Sequence, residues 1–208
     1  FEGGAKVDLL DHALRINAAA FYGKYRDIQV NIQSDPNNVT ITDLLNAGRA
    51  TISGVEWDMT LRPAPGLTAT VNYGYLNAHY DSIVNAAGGD ISTVVAFVEA
   101  PKNTVTASLE YAFPRLAIGQ LTAFVDASMQ DKRYGTALNK AYVMPAYTLV
   151  NARLSLSDIA VAGGRFSVAL YGSNLTDATY YTAYFNGGVP TAIYGSPRSY
   201  GVELKAEF

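Results

Sequence analysis

Apolar and polar side chains alternate with a period of two along most of this chain, in nine separate segments. The first places Phe1, Gly3, Ala5 and Val7 opposite Glu2, Gly4 and Lys6. The second runs Leu14, Ile16, Ala18, Ala20, Tyr22 against Arg15 and Asn17. The third sets Val55, Trp57, Met59 and Leu61 against Glu56, Asp58, Thr60 and Arg62. The fourth sets Leu67, Ala69, Val71, Tyr73 and Tyr75 against Thr68, Thr70 and Asn72. In the fifth, Val105, Ala107, Leu109, Tyr111 and Phe113 alternate with Thr104, Thr106, Ser108 and Glu110. The sixth opposes Leu121, Ala123, Val125, Ala127 and Met129 to Thr122, Asp126, Ser128 and Gln130, with Phe124 out of phase. The seventh has Val150, Ala152, Leu154 and Leu156 against Asn151, Arg153 and Ser155. The eighth has Phe166, Val168, Leu170 and Gly172 against Ser167 and Ser173. The ninth has Tyr200, Val202, Leu204, Ala206 and Phe208 against Ser199, Gly201, Glu203, Lys205 and Glu207. A period of two is that of a β-strand with unlike faces, so the pattern predicts nine strands.

The links between segments alternate in length. Short ones, with the Gly and Pro of tight turns, fall at 10–13, 63–66, 114–119 and 158–164. Long ones fall at about 30–46, 82–101, 135–145 and 178–197 and are rich in Asn, Gly, Thr and Tyr. One end of the sheet is therefore trimmed and the other elaborated, as in transmembrane β-barrels. Lipid requires every backbone N–H and C=O to be paired internally, which favours antiparallel hairpins between neighbours. Tyr22, Tyr25, Tyr80, Tyr134, Tyr180 and Tyr181 lie beside the long links, and Tyr111, Phe113 and Phe208 at the opposite ends. These read as two interfacial girdles. The competing reading is a soluble antiparallel sandwich or small ligand-binding barrel, with the apolar face as its core. Against it stand apolar faces rich in Ala and Gly, segments of about 12–17 residues where 3–10 is usual, and aromatics placed at strand ends.

Composition narrows the function. Of 208 residues only 16% are charged and 49% are apolar, with 15 Tyr, 8 Phe and 1 Trp. Lys+Arg 15 against Asp+Glu 18 gives a net charge of −3 without a basic cluster, which argues against nucleic-acid binding. The apolar content excludes intrinsic disorder. With no cysteine there is no disulfide framework, thiolate metal site or cysteine nucleophile. No apolar run is long enough for a membrane helix. The first residues form no signal peptide and lack an initiator Met, so the chain reads as a mature segment or a fragment. His12 and His79 fall in different hairpins, and there is no G-x-S-x-G, H-E-x-x-H or P-loop. Gly88-Gly89 and Gly187-Gly188 lack the strand–turn–helix context of phosphate binding. No catalytic residue, cofactor or metal site is expected.

Several strings then carry a resemblance: FEGGAKVD (1–8) with LRINAAAFYGKYRDIQ (14–29), NAGRATISGVEWD (46–58), LTATVNYGYLNAHYD (67–81), PKNTVTASLEYAF (101–113), YGSNLTDATYY (171–181) and GSPRSYGVELKAEF (195–208). In this order and spacing the chain resembles the C-terminal part of the barrel of a TonB-dependent outer-membrane receptor, over essentially its whole length. The resemblance implies an all-β fold, about nine antiparallel strands of a 22-stranded transmembrane barrel in the outer membrane of a Gram-negative bacterium. Residues 1–208 would be its C-terminal portion, without the N-terminal plug domain and the earlier strands. An odd strand number agrees, since a complete bacterial barrel has an even one.

The implied function is import of a scarce, bulky nutrient such as a ferric siderophore, driven by energy passed through TonB, with no covalent chemistry on the ligand. Implied partners are outer-membrane lipid, the plug domain, the TonB complex reached through the missing N-terminal part, and the barrel-assembly machinery. The last machinery would read Tyr200, Val202, Leu204, Ala206 and Phe208 as a C-terminal targeting strand. Glu56, Asp58, Glu110, Asp126, Arg153, Glu203, Lys205 and Glu207 would face the lumen. Tyr142, Tyr184, Phe185 and Tyr194, in the long links, are candidate ligand contacts because aromatic rings give large contact area at small entropy cost. The rival is a small self-contained outer-membrane barrel, structural or enzymatic; a soluble β-domain ranks third.

Overall fold

The computed structural model describes residues 1–208 except 36–37, 86–87, 138–141, 162 and 187–188, and gives backbone alone at 30, 32–35, 38–43, 45, 47 and 185–186. Gly187 and Gly188 of the sequence reading lie outside the described residues. The nine predicted strands form one antiparallel sheet. They are β1 (Glu2–Leu9), β2 (Leu14–Asp35), β3 (Asn38–Ala64), β4 (Leu67–Ile83), β5 (Asn103–Ala112), β6 (Gln120–Gln130), β9 (Tyr147–Val161), β10 (Gly164–Ser173) and β13 (Ser199–Glu207). Two small hairpins interrupt this meander: β7 (Arg133–Tyr134) with β8 (Val143–Met144), and β11 (Tyr181–Asn186) with β12 (Pro190–Tyr194). Each strand pairs with the next one of the sheet, and β1 and β13 are its two edges. Among the described residues there is no helix.

Register turns the alternation along each strand into rows across the sheet. Leu9, Leu14, Leu61, Ala69, Leu109, Val125, Ala152, Gly172 and Tyr200 are successive partners across all nine strands. A second row runs Val7, Ile16, Met59, Val71, Ala107, Ala127, Val150. Among the described residues no second layer covers this face. Leu109, Leu154, Leu170 and Val202 are 45%, 45%, 55% and 64% exposed, the reverse of a sandwich core. A continuous apolar face this size on a soluble protein would be an aggregation site, whereas acyl chains are a suitable solvent for it.

The opposite face is polar and hollowed. Its rows Gly4–Ala19–Glu56–Gly74–Thr104 and Lys6–Asn17–Asp58–Asn72–Thr106 line a concavity of ≈ 680 Å³. Charges there have neighbours: Asn17 Nδ2 donates to Asp58 at 2.6 Å and Asn151 Nδ2 to Asp126 at 2.8 Å. Arg153 Nη2 meets Glu203 Oε1 at 2.6 Å, and Lys205 pairs with Glu207. Phe124, out of phase in the sequence, has a place here. It stands between Glu110 and Arg153 in a row that continues to Tyr171 and Gly201. Tyr171 lies over Gly201, whose added Cβ would fall 2.3 Å from the ring, so glycine makes room for the aromatic.

Two expectations are corrected. The 30–46 link is mostly strand: β2 and β3 continue as a paired ribbon with register shifts after Tyr25 and Gln33. The aromatic girdle also divides. Tyr22 shares the apolar face with Trp57 and Tyr73, whose rings lie 6.2 Å apart. Tyr25 pairs with Ala50 and Tyr80 with that same Ala50, on the polar face.

The short turns bear their own constraints. Gly66, between β3 and β4, has φ +77°, and a Cβ there would lie 2.2 Å from the Ala112 carbonyl oxygen. Both the left-handed backbone and the close approach require glycine. The Gly66→Ala variant of the full-length protein is expected to lose about 2 kcal/mol or more, read as a lower urea midpoint in lipid vesicles. An unchanged midpoint would show that this turn relaxes freely.

Candidate functional site

Buried side chains gather at the long-link end of the sheet. Ala50, Ile83 and Met144 are fully buried, and Val95 and Ala96 nearly so. Leu76, Ala78 and Tyr80 follow Asn72 and Gly74 on the polar face of β4, so that face turns apolar near its end. Residues 90–102 fold against it. Asp90 Oδ1 accepts the Ser92 N–H at 2.9 Å and the Ile83 N–H at 3.3 Å, and the Ile91 N–H donates to the Ile83 carbonyl at 2.8 Å. The antiparallel Val84–Asp90 bridge brings the chain back beside the end of β4, and the Asx turn at Asp90 follows it. The Ser92 and Ile83 amides, in that order of influence, hold the Asp90 carboxyl below the usual carboxylate range. Phe97 then stacks on Tyr80 with ring centres 4.3 Å apart and planes within 12°.

The three later loops touch one another in sequence. Val98 bridges to Tyr134, the Ala96 N–H donates to the Ala137 carbonyl at 2.8 Å, and the Glu99 N–H to the Tyr134 carbonyl at 3.0 Å. Tyr142 stacks on Tyr184 at 5.1 Å, joining the β7–β8 loop to the β11–β12 hairpin. Tyr194 lies edge-on to Tyr181 at 5.0 Å across that hairpin. A hydroxyl bond to Tyr194 raises the Tyr181 phenol above its ordinary value. Beneath the first loop is a hollow of ≈ 720 Å³, lined by Leu76, Tyr80, Phe97, Lys102, Lys132 and Tyr134 among others. The lining also holds Asp131 alongside the two lysines, so ring faces there can hold a planar guest by stacking, with charges of both signs at hand.

The sequence-predicted contacts occupy a neighbouring position. Tyr142, Tyr184 and Tyr194 lie in the loop assembly and do not line the hollow. The side chain of Phe185 lies outside the described residues. His12 sits in the β1–β2 turn and His79 near the far end of β4, beside Asp81 at 3.3 Å. Among the described residues no group of three His, Asp or Glu side chains gathers as for a metal ion. Sequence reasoning missed Tyr80 with Phe97, the two lysines, and Arg133 with Glu99. Their partners are distant along the chain, so no local pattern marks them.

A family model described as "TonB dependent receptor-like, beta-barrel" matches residues 1–175. The chain belongs to that family. As a TonB-dependent receptor barrel, it is a piece of the outer membrane of a Gram-negative cell. It is 25% identical over 210 residues to the metal-pseudopaline receptor CntO of Pseudomonas aeruginosa, covering 100% of this chain and 27% of the relative. The pesticin receptor of Yersinia pestis is likewise 25% identical, over 212 residues that cover 28% of it. Among solved structures, the ferric yersiniabactin uptake receptor FyuA of Yersinia pestis superposes with a TM-score of 0.76 at 22% identity. That match covers 100% of this chain and 29% of FyuA. BauA, the ferric preacinetobactin receptor of Acinetobacter baumannii, gives a TM-score of 0.70 at 21% identity, with 100% and 29% covered. The chain thus spans under a third of the length of these proteins.

Proposed function

We propose that residues 1–208 are the C-terminal portion of a receptor that imports a bulky metal–chelator complex, of the siderophore class, across the outer membrane. The family match over 1–175 is the observation that carries this reading. The remaining strands of a 22-stranded barrel, the plug domain and the segment that engages TonB would belong to the rest of the protein. The apolar rows then meet lipid. Glu56, Asp58, Glu110, Asp126, Arg153, Glu203 and Lys205 line the lumen and meet water and the plug.

Long loops mark the extracellular side of such barrels, so the hollow under Phe97 and the Tyr142–Tyr184 stack stand where a ligand arrives. Tyr142, Tyr184, Phe185 and Tyr194 contact that ligand or shape its approach. Tyr200, Val202, Leu204, Ala206 and Phe208 form the strand read by the assembly machinery. The activity is binding and passage, with no bond made or broken in the cargo.

Growth of a deletion strain under metal limitation tests this reading, using ferric and zinc complexes of hydroxamate, catecholate and carboxylate chelators as probes. Restoring the intact gene is expected to rescue growth on at least one complex, and only where TonB is functional. Rescue without TonB, or on no complex, would overturn it. On the complex that rescues, Tyr184→Ala is expected to raise the half-saturating concentration roughly tenfold with receptor assembly unchanged.

A further inference from the structure

Three extracellular loops converge on one side chain. Arg133 opens β7 and is 4% exposed. Its Nε pairs with the Glu99 carboxylate of the 84–102 loop. Its Nη2 donates to the Tyr181 carbonyl at the start of β11, 2.9 Å away. The guanidinium carbon lies 5.8 Å from the centre of the Tyr147 ring, which packs on Tyr180 at 4.7 Å. The remaining nitrogen, Nη1, is buried and has no hydrogen-bond partner among the described residues.

A buried ion pair is a poor way to gain stability, since apolar packing of the same volume often serves as well or better. What the guanidinium supplies is geometry. Its planar fork fixes the directions in which it meets a carboxylate, a carbonyl and a ring, whereas an ammonium on a flexible stem does not. We propose that Arg133 is a positioning residue for the ligand site, locking the 84–102 loop, residues 131–137 and the β11–β12 hairpin into one unit. This rests on the reading that the rim takes up the ligand. Arg133 does not line the hollow, but its neighbours Lys132 and Tyr134 do. A guest that displaces Phe97 or Tyr134 therefore moves the β11–β12 hairpin through Arg133 without touching it.

Amide hydrogen exchange on the full-length receptor in outer-membrane vesicles tests this without any ligand, so the result stands apart from the uptake reading. The reporters are the N–H groups of Ala96, Glu99, Gly135 and Gly195, each bonded to a loop carbonyl. In Arg133→Met, exchange at Ala96, Glu99 and Gly195 is expected to accelerate together by roughly tenfold or more, the scale of a lost charge-assisted bond. Amides within β5 and β6 should not change. Arg133→Lys keeps a charge for Glu99 but not the fork, so it should restore Ala96 and Glu99 and leave Gly195 fast. Acceleration at Gly135 alone, or a Lys variant identical to Met at every reporter, would overturn the proposal. If Arg133→Met does not assemble, Glu99→Gln removes the ion pair from a half-exposed position. It should accelerate Ala96 and Glu99 and spare Gly195; unchanged exchange there would also overturn it.

Discussion

The Ala107→Arg substitution is expected to destabilise the full-length protein in lipid by about 2–4 kcal/mol, whereas Ser128→Arg should change it by less than about 1 kcal/mol. The two positions are near neighbours: Ala107 pairs with Ala127, and Ser128 follows Ala127 on the same strand. What separates them is the face. Ala107 stands in the apolar row between Val71 and Ala127, near the middle of β5. An arginine there must either leave its charge among acyl chains or bend a long side chain toward an interface several residues away. Ser128 pairs with Thr106 on the polar face, where an added guanidinium reaches water. Urea titrations in vesicles, followed by heat-modifiable gel mobility, give both values. Equal costs at the two sites would mean that the sheet does not separate lipid from water in this way, and the membrane reading would fail with it.

The same physics explains how much of the molecule was legible in its sequence. Between Val55 and Tyr75 or Val105 and Met129, a barrel wall with lipid on one face and water on the other makes each residue's polarity report its face, and period two survives intact. That gave the nine strands and their pairing order. Beyond the membrane both faces meet water, and the report stops. The 30–46 stretch, rich in Asn and Thr, read as a loop, yet its backbone continues the β2–β3 ladder. By their place along the chain, Tyr25, Tyr80 and Tyr180 read as girdle residues. Tyr80 and Tyr180 instead pack on Phe97 and Tyr147. The Tyr142–Tyr184 cluster was half legible: aromatics in long links were singled out, but not their stacking. The Arg133 junction was not legible at all. Its acceptors lie 34 and 48 residues away, and one of them is a backbone carbonyl whose position only the fold supplies.

Expressed by itself in detergent, the 208-residue chain is expected to yield mixed oligomers, with no monodisperse folded monomer. β1 and β13 are edges, and in an antiparallel meander the first and ninth strands run in the same direction. Closing this sheet on itself would need a parallel seam, which bacterial barrels with their even strand numbers avoid. The interior would object as well. A barrel of about eight strands is just filled by ordinary side chains, and here one polar-face row alone carries Glu110, Phe124, Arg153 and Tyr171. Left open, each edge exposes backbone N–H and C=O groups whose burial unpaired costs several kcal/mol apiece in hydrocarbon, so edges find other edges. Light scattering after size exclusion distinguishes the outcomes. If, as proposed, these strands belong to a larger barrel, co-refolding with its other strands should restore a single monomeric species, because those strands would pair β1 and β13 and widen the lumen. A homogeneous, cooperatively unfolding monomer of the chain alone would mean that nine strands suffice, and that the polar face closes around a core of its own.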